Sequence, residues 1–420
     1  MRSQGLGTVH LKSWVDSHRL NEPAGPQNPP TRSQGHHRVR VAILANRANS
    51  FYRPLAEGLE RMFREIGVDS RLLYDGLESL PRKQRAEAGK GANWRGRLFR
   101  WAQRSAAWLS YQRLLRSLRT VDVVVIVGHM PGAYFELLFD DDRLRRDVPH
   151  LPIVLYDLVY LGSRADWVKW IHDGVASRRV PRGRHWGTNR YDHHLCITEV
   201  SEFPVLPGAQ RYSPVGINMI DPSLALEPRE ICALIDFERP EHLPERAIQI
   251  QACLEAGIPF KVLHGSYSMQ EIRTIYRSCS LYFVAHCESF GLPICEVQAC
   301  GGIILTPYAR WCHAHYLETP EPGCSGRLPQ NFIVYNNDSQ RLVRELNRLK
   351  RDYNAETALE NFKRDQPHFY RGNATELARF MAMVDDGSIH SASHRDHPTL
   401  GQLAEAVEAL EAGPDERGAS

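Results

Sequence analysis

Short apolar runs rich in β-branched residues alternate with helix-length amphipathic stretches along most of this chain, and that alternation leaves few folds open. Residues 38–44, 121–127, 152–156 and 195–198 form a first series of such runs, and a helical pattern through Leu55, Leu59 and Met62 follows the first of them. Residues 231–235, 260–264, 281–285, 302–306 and 331–335 form a second series, with helical spacing at 245–256 and 269–279 between its members. Strands that alternate with helices build parallel sheets covered on both faces. The expectation is an α/β protein of two Rossmann-like domains in tandem, with a cleft between them.

The flanking segments fit two domains plus extensions. Residues 1–37 carry Pro23, Pro26, Pro29 and Pro30 among Gly, Gln, Asn and Ser, and read as a disordered leader. The first domain then spans 38–217, a linker 218–228, and the second domain 229–384. Within the second domain, 339–354 and 358–383 are helical in pattern. From 385 to 420 the chain holds eight Asp/Glu against two Arg and reads as an acidic tail, in which Leu400, Leu403, Val407 and Leu410 outline one amphipathic helix.

A net charge of +3 gives no global case for nucleic acid. The nine cysteines form no CxxC pair, and an odd number in apolar stretches points to reduced thiols rather than a disulfide framework or a zinc site. The first twenty residues lack a signal-peptide core, and no apolar run reaches membrane-spanning length. The expected location is cytoplasmic, with peripheral contact to the inner face of a membrane left open.

The local pattern with most chemistry is Glu288-Ser-Phe-Gly-Leu-Pro-Ile-Cys-Glu296, followed by Val297-Gln-Ala-Cys-Gly-Gly302. A strand precedes it, and a helix is expected from Pro293 to a stop at Gly301. One carboxylate therefore sits at a strand's C-terminal edge, where open α/β sheets bind ligands, and the other in the next helix's first turns. Residues 276–301, with Tyr276-Arg-Ser-Cys-Ser-Leu-Tyr-Phe-Val-Ala285 and Ala299-Cys-Gly301, resemble the acid, seven spacers, acid signature of retaining GT-B glycosyltransferases of family 4. The resemblance extends over 196–383 and takes in Pro214-Val-Gly-Ile-Asn218, the family's passage between domains.

What the resemblance implies is a metal-independent transfer of a sugar from a nucleoside diphosphate to an acceptor hydroxyl on a glycan or lipid, with no cofactor beyond the donor itself. Glu288 would then meet donor-sugar hydroxyls and Glu296 the ribose. Ser289, Phe290, Gly291 and Leu292 would present the loop and its N–H groups to the diphosphate, at the positive end of the following helix. Arg239 and Arg246 stand where the family carries phosphate-binding cations, without the expected Lys and Gly, and a salt-bridge cluster at a helix start is the other reading. Gly265 falls at a strand edge where a turn would touch the base.

The first half departs further from that pattern. Its opening loop, Asn46-Arg-Ala-Asn-Ser50, lacks glycine, so Asn46 would donate in place of backbone, or the loop merely caps a helix. Asp157 stands where the family often has a His, and His129 is a second candidate to meet the donor sugar. A non-catalytic sugar-nucleotide sensor or scaffold therefore remains the alternative. Asp140-Asp-Asp142 reads as a solvated helix end rather than a metal site. Residues 81–120 hold eleven Lys/Arg and one Glu, with Trp94, Trp101, Trp108 and Leu115 seven apart. That segment suits an anionic bilayer, a nucleic acid, or an ordinary domain helix with its Trp residues in the core.

Overall fold

The computed structural model describes residues 39–45, 52–74, 105, 108–109, 111–128, 141–158, 191–198, 212–227, 229–284, 290–307, 313–317, 327–390 and 400–411. Residues 39–420 form one compact unit. The first half contains β1 (Arg40–Ala45), α1 (Tyr52–Glu65), β2 (Asp69–Tyr74), β3 (Val123–Val127), α2 (Asp141–Asp147), β4 (Ile153–Asp157), β5 (His193–Cys196) and β6 (Tyr212–Pro214). The second contains β7 (Ala233–Ile235), α3 (Leu243–Ala256), β8 (Phe260–Val262), α4 (Met269–Ser278), β9 (Leu281–Phe283), α5 (Leu292–Ala299), β10 (Ile303–Thr306) and β11 (Phe332–Val334). Helices α6 (Ser339–Asp352), α7 (Ala355–Asp365), α8 (Pro367–Tyr370), α9 (Ala374–Asp385) and α10 (Leu400–Glu411) complete the described chain.

Every strand pairing is parallel. The first sheet runs β2-β1-β3-β4-β5-β6 and the second β11-β10-β9-β7-β8. The chain is thus α/β, with two Rossmann-like sheets in tandem. Both sheets place their first strand between the second and third, so each reverses its winding there, at β1/β3 and at β7/β9. β1, β3 and β4 are buried almost throughout, as parallel strands with both faces covered must be.

One buried cluster joins the halves. It runs from β1 and α1 through Ile217, Met219 and Leu224 to β9 and α5, and returns through Phe369, Leu377 and Phe380. Gly216 marks the crossing: its φ is +74°, and a Cβ there would collide with the His368 carbonyl. Helix α9 packs on α1 and β6, and His193 stacks on Phe380 at 5.7 Å. Helix α10 buries Ala404 and Val407 in a cluster with Ala42, Leu44, Val124 and Ile126 of the first sheet. The last helix expected with the second domain, and part of the segment expected as an acidic tail, therefore pack against the first sheet. Their apolar stripes decide this, because exposing them would forfeit the burial that orders the chain end. Among the described residues no helix is long and apolar enough to cross a membrane.

Candidate functional site

The site is built where β7 and β9 lie side by side, and the Asp236 N–H bonds the Phe283 carbonyl at 3.2 Å. On the β7 side, Arg239 is exposed and opens the 3-10 turn Pro240–His242. Arg246 lies one turn inside α3 and is buried, with Nη1 donating to the Asp236 carbonyl at 3.0 Å. Its Nε is 4.0 Å from the Glu238 carboxylate. Its Nη2 is buried and meets no acceptor among the described residues. Three residues on, Gln249 donates to the Tyr335 hydroxyl at 2.9 Å while its Oε1 is buried without a donor. The two arginines proposed as phosphate ligands thus differ: Arg246 is buried and held in place with donor capacity to spare among the described residues, and Arg239 is exposed. An unmet buried guanidinium nitrogen costs free energy that an anionic ligand oxygen would recover.

On the β9 side, Gly291 is the N-cap of α5, Pro293 occupies its first turn, and no side chain caps the helix. The first-turn amides and the helix dipole are therefore available to an anion. Phe290 and Leu292 are buried, and the Phe290 ring stacks on His315 at 5.8 Å with 9° between planes and meets Phe369 edge-on at 5.3 Å. Their side chains anchor the loop, which leaves the main chain as the part that can meet a ligand.

The helix is fixed from beneath by a chain of amides. Asn361 donates to Asn331 (3.3 Å), Asn331 to Gln298 (3.3 Å), Gln298 to Gln366 (3.2 Å), and the Gln366 amide lies 3.0 Å from His315 Nδ1. That direction places the His315 proton on Nε2. Burial, with His368 nearby, pushes the His315 imidazole down to about 3, so it stays neutral. Gly301 stops α5 with φ +79°, and a Cβ there would collide with the Ala355 carbonyl.

Glu296 is buried on the same helix, and Oε1 accepts from Arg273 Nε at 2.8 Å and Nη2 at 2.7 Å. Arg273 Nη1 also reaches Asp221 Oδ2 at 3.1 Å and the Ser223 hydroxyl at 2.8 Å. From Asp221 the network continues to Arg61 of α1 at 3.5 Å, and Arg61 donates to the Asn218 carbonyl at 2.8 Å. Four alternating charges thus link the motif helix, through Asp221, to α1 in the first half. Burial pushes the Glu296 carboxyl up, against the pull of Arg273, whose own guanidinium is raised by Glu296 and Asp221 despite its burial. Burial also opposes ionisation of Asp221, but hydrogen bonds from Ser223 with Arg273 and Arg61 hold it below the usual carboxylate range. Among the described residues Glu296 Oε2 takes part in none of these bonds.

Arg273, Asp221 and Arg61 were not among the residues the sequence singled out. The available signal was a charge on a helix's inward face: Arg273 lies three residues before the buried Tyr276. Of the remaining candidates, Asp157 ends β4, is buried, and accepts the Leu158 N–H at 2.8 Å. Gly265 closes the turn after β8 in open surroundings. Glu288, Ser289, Asn46 and His129 lie outside the described residues. Among the described residues no cluster of His, Cys, Asp and Glu is arranged to hold a metal ion.

No protein-family model matches the chain, and no curated protein matches it. Among solved structures it is similar to HepE of Anabaena in complex with UDP and glucose, at 12% identity over 83% of this chain and 100% of that one, with a TM-score of 0.43. It is also similar to the UDP-GlcNAc 2-epimerase of Neisseria meningitidis bound to UDP-GlcNAc (9%, 82% and 100%, TM-score 0.44). Sucrose-phosphate synthase of Thermosynechococcus elongatus is a third (12%, 84% and 100%, TM-score 0.42).

Proposed function

We propose that this protein is a glycosyltransferase that moves a sugar from a nucleoside-diphosphate sugar to an acceptor hydroxyl, with retention of configuration. The observation that carries the proposal is the pair of neighbouring strands β7 and β9: after β7 comes buried Arg246, whose Nη2 meets no acceptor among the described residues, and after β9 comes the N-terminus of α5, which no described side chain caps. In this reading Arg246, the amides at Phe290, Gly291 and Leu292, and the dipole of α5 stabilise charge growing on the leaving diphosphate. Glu296 Oε2 accepts from the ribose, while Oε1 stays with Arg273. Glu288, with Ser289 beside it, holds the donor sugar, and Gly265 lies near the base. Asn46, His129 and Asp157 supply the first half's share of the cleft. Charge on the phosphate falls to Arg246 and α5 rather than to a metal ion, so full activity in EDTA is the expected outcome.

The acceptor in this reading is a glycan or lipid-linked hydroxyl met on the cytoplasmic side of a membrane, with contact to that membrane through the basic segment 81–120. A second reading, a sugar-nucleotide sensor, draws support from Asp157, whose carboxylate is buried in its own turn. A thermal-shift panel of UDP-, GDP- and ADP-sugars, run with slow donor hydrolysis, separates them. One donor is expected to stabilise the wild type and to be turned over, and the Glu296→Ala variant to lose most of that stabilisation. Stabilisation without any turnover would favour the sensor, and no shift with any donor would remove both.

A further inference from the structure

The helical turn at 108–109 and the helix at 111–118 carry a face that the other described residues leave open. Tyr111 and Leu118 are buried, and Leu114 and Leu115 pack beside them against the cluster under the first sheet. At 100° per residue those four fall within an arc of about 100°; Leu109, Arg113 and Arg116 lie on the opposite side, and Trp108 and Arg119 lie on the flank next to Leu115. Trp108 is 53% exposed and Leu109 51%, the only such pair of neighbours on one helical stretch among the described large apolar residues. Arg113, Arg116 and Arg119 are exposed, and among the described residues their guanidinium groups make no ion pair or hydrogen bond. A lone exposed apolar side chain needs no explanation, but a Trp–Leu pair flanked by three free cations is unusual on a solvated face.

We infer that this face docks on an anionic lipid bilayer, with Trp108 and Leu109 in the headgroup–acyl boundary and Arg113, Arg116 and Arg119 on lipid phosphates. Trp suits the membrane interface, because its ring is apolar and its N–H is wet. Leu109 favours the bilayer over a nucleic acid, since an aliphatic side chain offers a base nothing to stack on. The arginines sit about one, two and three turns along from Leu109, so the charges run on from the apolar pair in the plane where headgroups lie. The inference does not depend on the donor reading, and its test uses no nucleotide.

The test is co-sedimentation of the full-length protein with vesicles of phosphatidylcholine alone and with about one-third phosphatidylglycerol. Binding is expected only to the anionic vesicles. Reversal of all three arginines (Arg113→Glu, Arg116→Glu, Arg119→Glu) should lower partitioning on the order of a hundredfold, from roughly a fivefold share per residue. The separate pair Trp108→Ser and Leu109→Ser should weaken it about tenfold or more through lost apolar burial. Thermal unfolding without lipid controls for folding, and each set is read alone should the other fail to fold. Equal binding to both vesicle types, no binding to either, or wild-type binding by both folded variants would overturn the inference. So would a tighter, salt-sensitive complex with single-stranded RNA that the arginine variants abolish while vesicle binding persists.

Discussion

At the edge of the second sheet, Arg246 Nη2 and Gln249 Oε1 are buried without partners and α5 begins without a cap. At the edge of the first sheet, Asp157 is closed by the Leu158 N–H, the Gly128 N–H bonds the Tyr156 carbonyl, and the Tyr156 hydroxyl bonds the Gly216 carbonyl at 2.8 Å. The strand orders match through five strands, and both edges face the place where such sheets bind ligands. Among the described residues, what differs is unmet hydrogen-bonding capacity. A folded protein rarely leaves buried polar atoms unpaired, so a concentration of them at one edge points to an external partner. Topology brings residues to an edge, and the unsatisfied groups among them say which edge is used.

The comparison breaks most visibly at Arg273. Arg273→Met leaves Glu296 buried without its cation, and chemical denaturation should show a loss of about 3–5 kcal/mol. Nucleotide-induced stabilisation should vanish with it. Adding Glu296→Leu should recover much of the stability and none of the nucleotide response, which would separate the pair's structural part from its binding part. A double variant that still binds nucleotide would assign Glu296 to structure alone.

Acid should act next, through His315 and His368. Burial holds the first at about 3, with a contribution from His368, and the second at about 4, against an ordinary 6.5. A depressed folded-state value means the unfolded chain binds more protons, so stability is complete above about 6.5 and falls as pH drops toward those folded values. Each histidine contributes a slope of about 1.4 kcal/mol per pH unit within that window. The thermal midpoint should fall between pH 6.5 and 5, and His315→Gln should remove one proton's share of the slope. A flat profile would mean that these rings are solvated, and the support beneath α5 would go with it.

Arg246→Met should give a smaller effect with opposite signs for binding and folding. Diphosphate affinity is expected to drop about ten- to a hundredfold, in keeping with roughly 1.5–3 kcal/mol for a hydrogen bond to a charged group. The denaturation midpoint should hold or rise, because a partly unmet buried charge is removed. Asp157→Asn should change least: stability within about 1 kcal/mol and donor affinity within about twofold, since the amide oxygen can still cap the turn. A large loss of donor affinity there would move a donor contact into the first half, and a loss of turnover alone would support Asp157 as a sugar-facing group.

The succession of strands along the chain was readable because most of them are internal. Runs such as 121–127 must be apolar throughout when both faces are covered. β2 and β6 were not expected, and both are edge strands: Asp69–Tyr74 is only partly buried, and Tyr212–Pro214 is three residues ending in proline. The acid motif was legible because its spacing is local. The network around it was not, because Arg273 meets Glu296 across 23 residues and Asp221 across 52. Only a folded chain brings those together. The return of α9 and α10 to the first sheet was hidden for the same reason, since an amphipathic helix announces a buried face but not the surface that buries it.

The central claim is that the β7/β9 edge, with Arg246 and Glu296, holds a nucleoside diphosphate. Isothermal titration of the wild type, Arg246→Met and Glu296→Ala with UDP, GDP and ADP tests it most directly. The account predicts saturable binding of at least one diphosphate, weakened about tenfold or more by each substitution while both variants stay folded. Wild-type affinity in both variants, or no binding of any diphosphate by the wild type, would contradict it.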